Sequence, residues 1–203
     1  MKSMEYENKE LCSKCGGRCC KKGGCDYYVS DFKSIDKNTI LKVLETGNVS
    51  IVSAFKYEIL TNGKKVVVPI LYLRARNEGK KVIDLFSMKK RCSMLTSTGC
   101  SYNLEQRPGG GVNLIPNKKD CKPLNNPLDE LKKWYPYQNL LAKIVKRYTG
   151  KTVDMVLKSD IEEVFYEVLS ENFDGVDKLE IADILECLPD LVECYPEEYI
   201  KAK

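Results

Sequence analysis

Residues 50–76 read SIVSAFKYEILTNGKKVVVPILYLRAR, and this stretch decides the fold class. Two runs rich in β-branched and aromatic residues flank Asn62-Gly63. That dipeptide favours a two-residue hairpin turn because both positions accept positive φ. An antiparallel hairpin is therefore expected, with VIDLFSM at 82–88 as a candidate third strand. Upstream, KNTILKVLETG reads as a helix starting at Asp36 or Lys37 and closing at Gly47, with Ser30 capping a short turn before it. Downstream, residues 92–126 read as irregular, punctuated by Pro108, Gly109-Gly110-Gly111, Pro116 and Pro123.

From residue 127 the pattern turns helical. Asn126-Pro127 reads as an N-cap followed by proline at the first helical position, and the run to Gly150 as one helix kinked near Pro136. Ser159 with Glu162, and Asp177 with Glu180, have the spacing of capping boxes ahead of two further helices, and a last short helix is expected over 190–201. Trp134, Tyr135 and Tyr137 are expected to pack the long helix on the sheet. The expected architecture is α+β: a Cys-rich domain over 1–126 with a small antiparallel sheet, then an acidic helical region over 127–203.

The 203 residues are 43% apolar and 31% charged, the composition of a globular chain. No stretch is long and apolar enough to suggest a membrane span. The beginning, MKSMEYENKE, lacks the apolar stretch of a secretory signal, so cytoplasmic residence with reduced thiols is expected. There is no histidine, which excludes Ser-His-Asp triads, Cys-His dyads and HExxH zinc sites. Residues 1–127 carry 23 Lys and Arg against 12 Asp and Glu, a formal +11, while 128–203 carry 10 against 17, a formal −7. A basic first part suits nucleic acid. It also suits charge balance, since eight thiolates around two divalent ions would add about −4. Lys14, Arg18, Lys21 and Lys22 lie among the cysteines, where they would stabilise thiolates.

Ten cysteines dominate the chemistry. Cys12, Cys15, Cys19, Cys20 and Cys25 crowd into LCSKCGGRCCKKGGCDYY, and Cys92, Cys100 and Cys121 follow. A Cys-x2-Cys step lets two thiolates reach one metal, and residues 1–29 read as a loop organised by such ligands, turning at its glycines. Adjacent Cys19 and Cys20 would point apart, to two metals, or one of them would remain unligated. A reduced compartment favours metal or cluster ligation over disulfides. The eight are therefore candidate metal ligands, for an iron–sulfur cluster or for Zn2+ in up to two all-thiolate sites. Cys187 and Cys194, set among leucines, read as core thiols. The Cys-x3-Cys-x2-Cys spacing of most radical S-adenosylmethionine enzymes is absent. Arg74 and Arg76, on one strand face, and Arg107 read equally as holders of an anion or of thiolate charge and as a solvated sheet face. Asp31 and Asp84 could orient or supplement the ligands, and such acids more often cap helices or pair with lysines. Gly109-Gly110-Gly111 is the nearest thing to a glycine-rich cofactor turn, and reads more readily as a flexible loop.

The CxxCGxxCC run resembles the YkgJ-type cysteine-cluster proteins, described as zinc- or iron-chelating domains. The second half of their pattern is a Cys, a Gly-Cys, an Arg-Pro and a last Cys, and this chain has Cys92, Gly99-Cys100, Arg107-Pro108 and Cys121 in that order. Tyr72-Leu-Arg74-Ala-Arg76-Asn77 resembles one subgroup of them. The likeness spans about residues 10–145, and Cys121 departs from it by lying 13 residues after Pro108 across a Gly-rich insertion. The layout is also similar to that of flagellin lysine N-methylases, thought to carry an iron–sulfur cluster. The resemblance implies a cluster, [4Fe-4S], and an enzyme or accessory role in modifying a protein or peptide substrate, methyl transfer included. A structural zinc module and a nucleic-acid-binding protein are the alternatives.

Overall fold

The computed structural model describes residues 9–21, 24–59, 65–86, 91–103, 105–115 and 121–169. The expected turn at Asn62-Gly63, the helices after 169, and Cys187 and Cys194 lie outside them. Strands β1 (Val49–Ile59) and β2 (Lys65–Ala75) form the expected hairpin sheet. Val68, Ile70, Leu71, Tyr72 and Leu73 are all buried, so β2 is covered on both faces, as a continuous apolar run requires.

The chain packs as two units, Met1–Ser50 with Leu73–Val82 and Lys89–Lys133, and Ile51–Tyr72 with Ile83–Met88 and Trp134–Lys203. The hairpin strands contribute to both, so the units interleave along the sequence instead of meeting at a single cut after residue 126.

The first unit holds α1 (Lys9–Cys15), α2 (Arg18–Lys21), a 3-10 turn at Val29–Asp31 and α3 (Lys37–Glu45). It continues with the two-residue ladder of β3 (Leu95–Thr96) and β4 (Gly99–Cys100), and with α4 (Gly109–Val112). A second ladder pairs β5 (Leu114–Ile115) with β6 (Lys122–Pro123), and α5 (Pro127–Lys132) follows. Two caps stand where the sequence puts them. Asp36 accepts from the Thr39 N–H at 2.9 Å to start α3, and Asn126 accepts from the Leu128 N–H at 3.1 Å to start α5. Residues 9–15 and 18–21 are helical, not the ligand-shaped loop expected of 1–29, and Ser30 lies inside its 3-10 turn, with Tyr28 at the cap position.

The second unit holds a 3-10 turn at Tyr135–Tyr137, α6 (Gln138–Thr149) and α7 (Val153–Leu169). The helix expected to be merely kinked near Pro136 is interrupted there, because a proline ring and missing N–H cannot continue the ladder. Trp134 is completely buried and meets the Tyr137 ring edge-on. Residues 82–86 do not form the expected third strand. Ile83 makes one parallel bridge to Ile51, supported by Asp84 N–H to the Ile51 carbonyl at 2.9 Å and Ser53 N–H to the Leu85 carbonyl at 3.1 Å. Ser159 is inside α7 and caps nothing. The helix starts earlier because Val153, Val156, Leu157, Asp160, Ile161 and Val164 form one buried stripe running past it. Asp160 is buried on that stripe and accepts from the Leu85 N–H at 2.8 Å.

Gln138 closes the edge of β2. Its Oε1 accepts from the Leu71 N–H and its Nε2 donates to the Leu71 carbonyl, both at 2.8 Å, so one side chain acts as a strand partner. Its Nε2 also reaches the Trp134 carbonyl at 3.0 Å. Gln138→Leu keeps the volume but strands two buried peptide groups of Leu71, at about 1–3 kcal/mol each. Urea denaturation is expected to show a loss of about 2–4 kcal/mol; an unchanged midpoint would remove this role.

Candidate metal centre

The centre is built on a backbone contact. The loop at residues 25–27 pairs with β2: the Ala75 N–H donates to the Cys25 carbonyl and the Tyr27 N–H to the Leu73 carbonyl, each at 2.8 Å. Between them Asp26 bridges Arg74, and the Arg74 guanidinium bonds the Asp26 carboxylate at 2.8 Å. A second backbone bond, Cys92 N–H to the Cys20 carbonyl at 2.6 Å, joins α2 to the segment that carries Cys92. Cys92 in turn bridges Asn77, just beyond β2. Packing of α1 on β4 brings the first helix to the strand of Cys100.

Glycines permit these approaches. Gly17 has φ +70°, and a Cβ there would stand 2.5 Å from the Leu95 side chain, three residues past Cys92. Gly111 has room for no side chain, since its Cβ would lie 2.9 Å from the Cys25 sulfur and 3.0 Å from the Arg107 stem. Gly109-Gly110-Gly111 is thus not an open loop. It is the helical turn α4, held by Asp31, which accepts from the Gly109 and Tyr28 N–H groups at 2.8 Å.

The thiols of Cys19, Cys20, Cys25, Cys92, Cys100 and Cys121 sit close enough to influence one another. Cys19 and Cys20 do not point apart: their sulfurs are 3.9 Å apart, and the Cys121 thiol also hydrogen-bonds Cys19. The bond from Cys20, ahead of the opposing effect of burial, lowers Cys19 to about 6, while Cys20, as donor, is pushed well above the usual thiol range. The two share one proton, so these directions describe the pair: a first proton leaves easily and a second with difficulty. Burial, then the charges of Cys92 and Cys100, pushes Cys25 far up. Burial also raises Cys92, against peptide N–H groups of Met94 and Cys25 directed at its sulfur. Cys15 ends α1 half-buried, and the side chain of Cys12 is outside the described set.

Among the described residues, no three Cys, Asp or Glu side chains surround a single point at ligand distance. The donor set nevertheless fits a soft metal. It is all sulfur, with peptide N–H groups aimed at one thiol, as thiolate centres require. Two thiolates about 2.3 Å from one tetrahedral ion stand about 3.8 Å apart, which is the Cys19–Cys20 spacing.

The other expected contributors have structural roles. Arg74 holds Asp26. Arg76 holds the Val49 carbonyl at 2.7 Å and the Ser50 hydroxyl at 3.2 Å. Asp31 anchors α4, and Asp84 belongs to the second unit. Lys14 pairs with Glu10 across one turn of α1, and the largest influence on each of Cys19 and Cys20 is the other thiol. Two residues not singled out in the sequence adjoin the cluster: Tyr27 and Tyr102, whose hydroxyls are 3.2 Å apart. Their signal was a repeated Cys-x-Tyr, Cys25-Asp26-Tyr27 and Cys100-Ser101-Tyr102.

Thiolate is the reactive form, so alkylation of Cys19 in reduced, metal-free protein is expected to be fast at pH 7 and to fall as pH drops through about 6. Cys20→Ala removes the donor and returns Cys19 towards an ordinary thiol, slowing its alkylation at pH 7 by about tenfold. Peptide mapping by mass spectrometry reads this directly, and an equal or faster rate would contradict the shared proton.

Comparison of the chain with protein-family models, curated proteins and solved structures finds no match.

Proposed function

We propose that this protein carries an iron–sulfur cluster, [4Fe-4S], on several of Cys12, Cys15, Cys19, Cys20, Cys25, Cys92, Cys100 and Cys121, and that it serves as an enzyme or accessory factor in modifying a protein or peptide. The observation that carries the reading is that six cysteines from segments 19–25, 92–100 and 121 lie near enough for their thiols to act on one another. A [4Fe-4S] cluster takes four thiolates, and six near one another supply them with two to spare. The peptide N–H groups at the Cys92 sulfur support it too, since hydrogen bonds to sulfur help set such a centre's potential. A bound cluster supplies one-electron chemistry. The chain's own residues supply ligands, exclude water around Cys25 and Cys92, and hold the segments in register. The role in protein or peptide modification, methyl transfer included, rests on the resemblance to the YkgJ-type proteins and the flagellin lysine N-methylases.

The 3.9 Å separation of Cys19 and Cys20 favours a second reading, a structural zinc module, because it suits two thiolates on one ion. Its surface would then serve a partner.

Purification without oxygen, followed by iron, sulfide and zinc assays and visible absorption, is expected to give a brown protein with iron and sulfide in equal amounts. A colourless protein with stoichiometric zinc that unfolds on chelation would establish the zinc reading instead, and a protein empty of both metals would end both.

A further inference from the structure

The acidity of the second half of the sequence sits in one segment. Residues 128–169 carry 7 Lys and Arg against 7 Asp and Glu, and residues 170–203 carry 3 against 10, so the whole formal −7 lies after α7. Carboxylates before it have local partners: Asp129 pairs with Lys132 at 2.9 Å, Glu130 with Lys133 at 2.8 Å, and Asp160 is buried on the Leu85 N–H. Helix α6 and the turn after it are the opposite case. Residues 138–151 contain Lys143, Lys146, Arg147 and Lys151 and no Asp or Glu. All four cations are exposed, and none has an ion pair with a described residue. Lys143, Lys146 and Arg147 stand at i, i+3 and i+4, on one helix face. The helix dipole favours the two in the last turn and supplies no counter-charge to Lys143. Among the described residues, the large apolar side chains that the second unit exposes are Tyr148 and Met155, which flank the turn from α6 to α7.

We propose that the α6 face of Lys143, Lys146 and Arg147, with Lys151, Tyr148 and Met155 at its end, is the docking site of the chain's own acidic segment, residues 170–203. The inference is independent of the metal reading. The surface is basic with apolar side chains at one end, so its occupant should be acidic and apolar together. The stretch LEIADILECLPDLVE at 179–193 has that character: Glu180, Asp183, Glu186, Asp190 and Glu193 alternate with Leu, Ile and Val. Its acids recur every three or four residues, and Lys143, Arg147 and Lys151 recur every four. The reach is sufficient. Helix α7 packs on α6 and is about 26 Å long, while residues 170–203 would span about 50 Å even as helix. Helix, turn and segment all belong to the second unit. Tethering adds to the match, since a segment of the same chain meets the face at an effective concentration on the order of millimolar. A docked segment would also screen the face from free polyanions.

The test uses the full chain as a mixture of isotope-labelled and unlabelled protein. A water-soluble carbodiimide joins an ammonium to a carboxylate where the two touch, and peptide mapping by mass spectrometry reads the pairs. Coupling of Lys143, Lys146 or Lys151 to carboxylates of residues 171–198 is expected within single chains. It is expected to fall severalfold between about 0.1 and 1 M salt, as the screening length drops from about 10 Å to about 3 Å. Substituting Lys143→Gln, Lys146→Gln and Arg147→Gln together changes only exposed side chains. The triple variant is expected to lose most of the Lys151 coupling and to exchange its backbone amides faster over 177–193. Absence of coupling to 171–198 in the wild type, or Lys151 coupling and amide exchange unchanged in the triple variant, would overturn the proposal. Coupling found only between labelled and unlabelled chains would overturn it in favour of a contact between copies. Salt-sensitive binding of a single-stranded oligonucleotide that the triple variant abolishes, without coupling inside the chain, would assign the face to nucleic acid instead.

Discussion

Everything distinctive about the first unit hangs on the two backbone bonds between residues 25–27 and the end of β2, Ala75 N–H to the Cys25 carbonyl and Tyr27 N–H to the Leu73 carbonyl. The outer edge of a strand is a row of unsatisfied donors and acceptors. Here the cysteine loop fills that edge, and in doing so Cys25 acquires a fixed position against a rigid element. Cys92 is set by the same element, because Asn77, just beyond β2, bridges it. Two ligand candidates distant in sequence thus take their coordinates from one strand. The ion pair of Arg74 with Asp26, both side chains 22% exposed, locks the register between them.

Gathering thiols carries an electrostatic cost that the scaffold does not remove. Burial, and after it the charge of neighbouring thiols, disfavours ionisation of each, as the upward shifts of Cys25 and Cys92 show. Peptide N–H groups and the shared proton of Cys19 and Cys20 offset part of it. A multivalent cation would offset the rest, since deprotonation and metal binding are one linked equilibrium. The sulfurs need not surround a single point beforehand, because a preformed site is seldom the starting state of a thiolate centre.

Local signals were legible in the sequence, and long-range compensations were not. The hairpin strands, the caps at Asp36 and Asn126 and the helix end at Gly150 each follow from a few adjacent residues, and the structure has them all. The box at Ser159 and Glu162 misled because a longer buried stripe outweighs a local cap. Residues 9–15 fold as helix although their cysteines, and the glycines that follow at 16, 17, 23 and 24, made 1–29 read as a loop. Arg74 and Arg76 read as a charged face, and only the folded chain shows that each is held by a partner on another segment. The convergence of Cys19 and Cys20 was invisible for the same reason: adjacency in sequence fixes no side-chain rotamer.

The economy of regular structure around the cysteines is itself informative. Between residues 91 and 123 the described elements are two-residue ladders and one four-residue helical turn. Ordering backbone costs about 1–2 kcal/mol per residue, and such short elements return few hydrogen bonds for it. Three compensations are visible: tight glycine contacts, the Asp31 anchor, and the Asn113 side chain, which bonds the Tyr28 hydroxyl at 3.0 Å and both the N–H and the carbonyl of Asn125. The segment from Arg91 to Cys100 has its own short ladder, the bonds to Cys20, Arg76 and Glu78, the bridge to Asn77 and the close approach of Gly17 to Leu95. An ion shared by Cys92, Cys100 and the first cysteines would tie this segment further to α2, so in the proposed centre the metal's structural work falls on a stretch whose own ladder is two residues long.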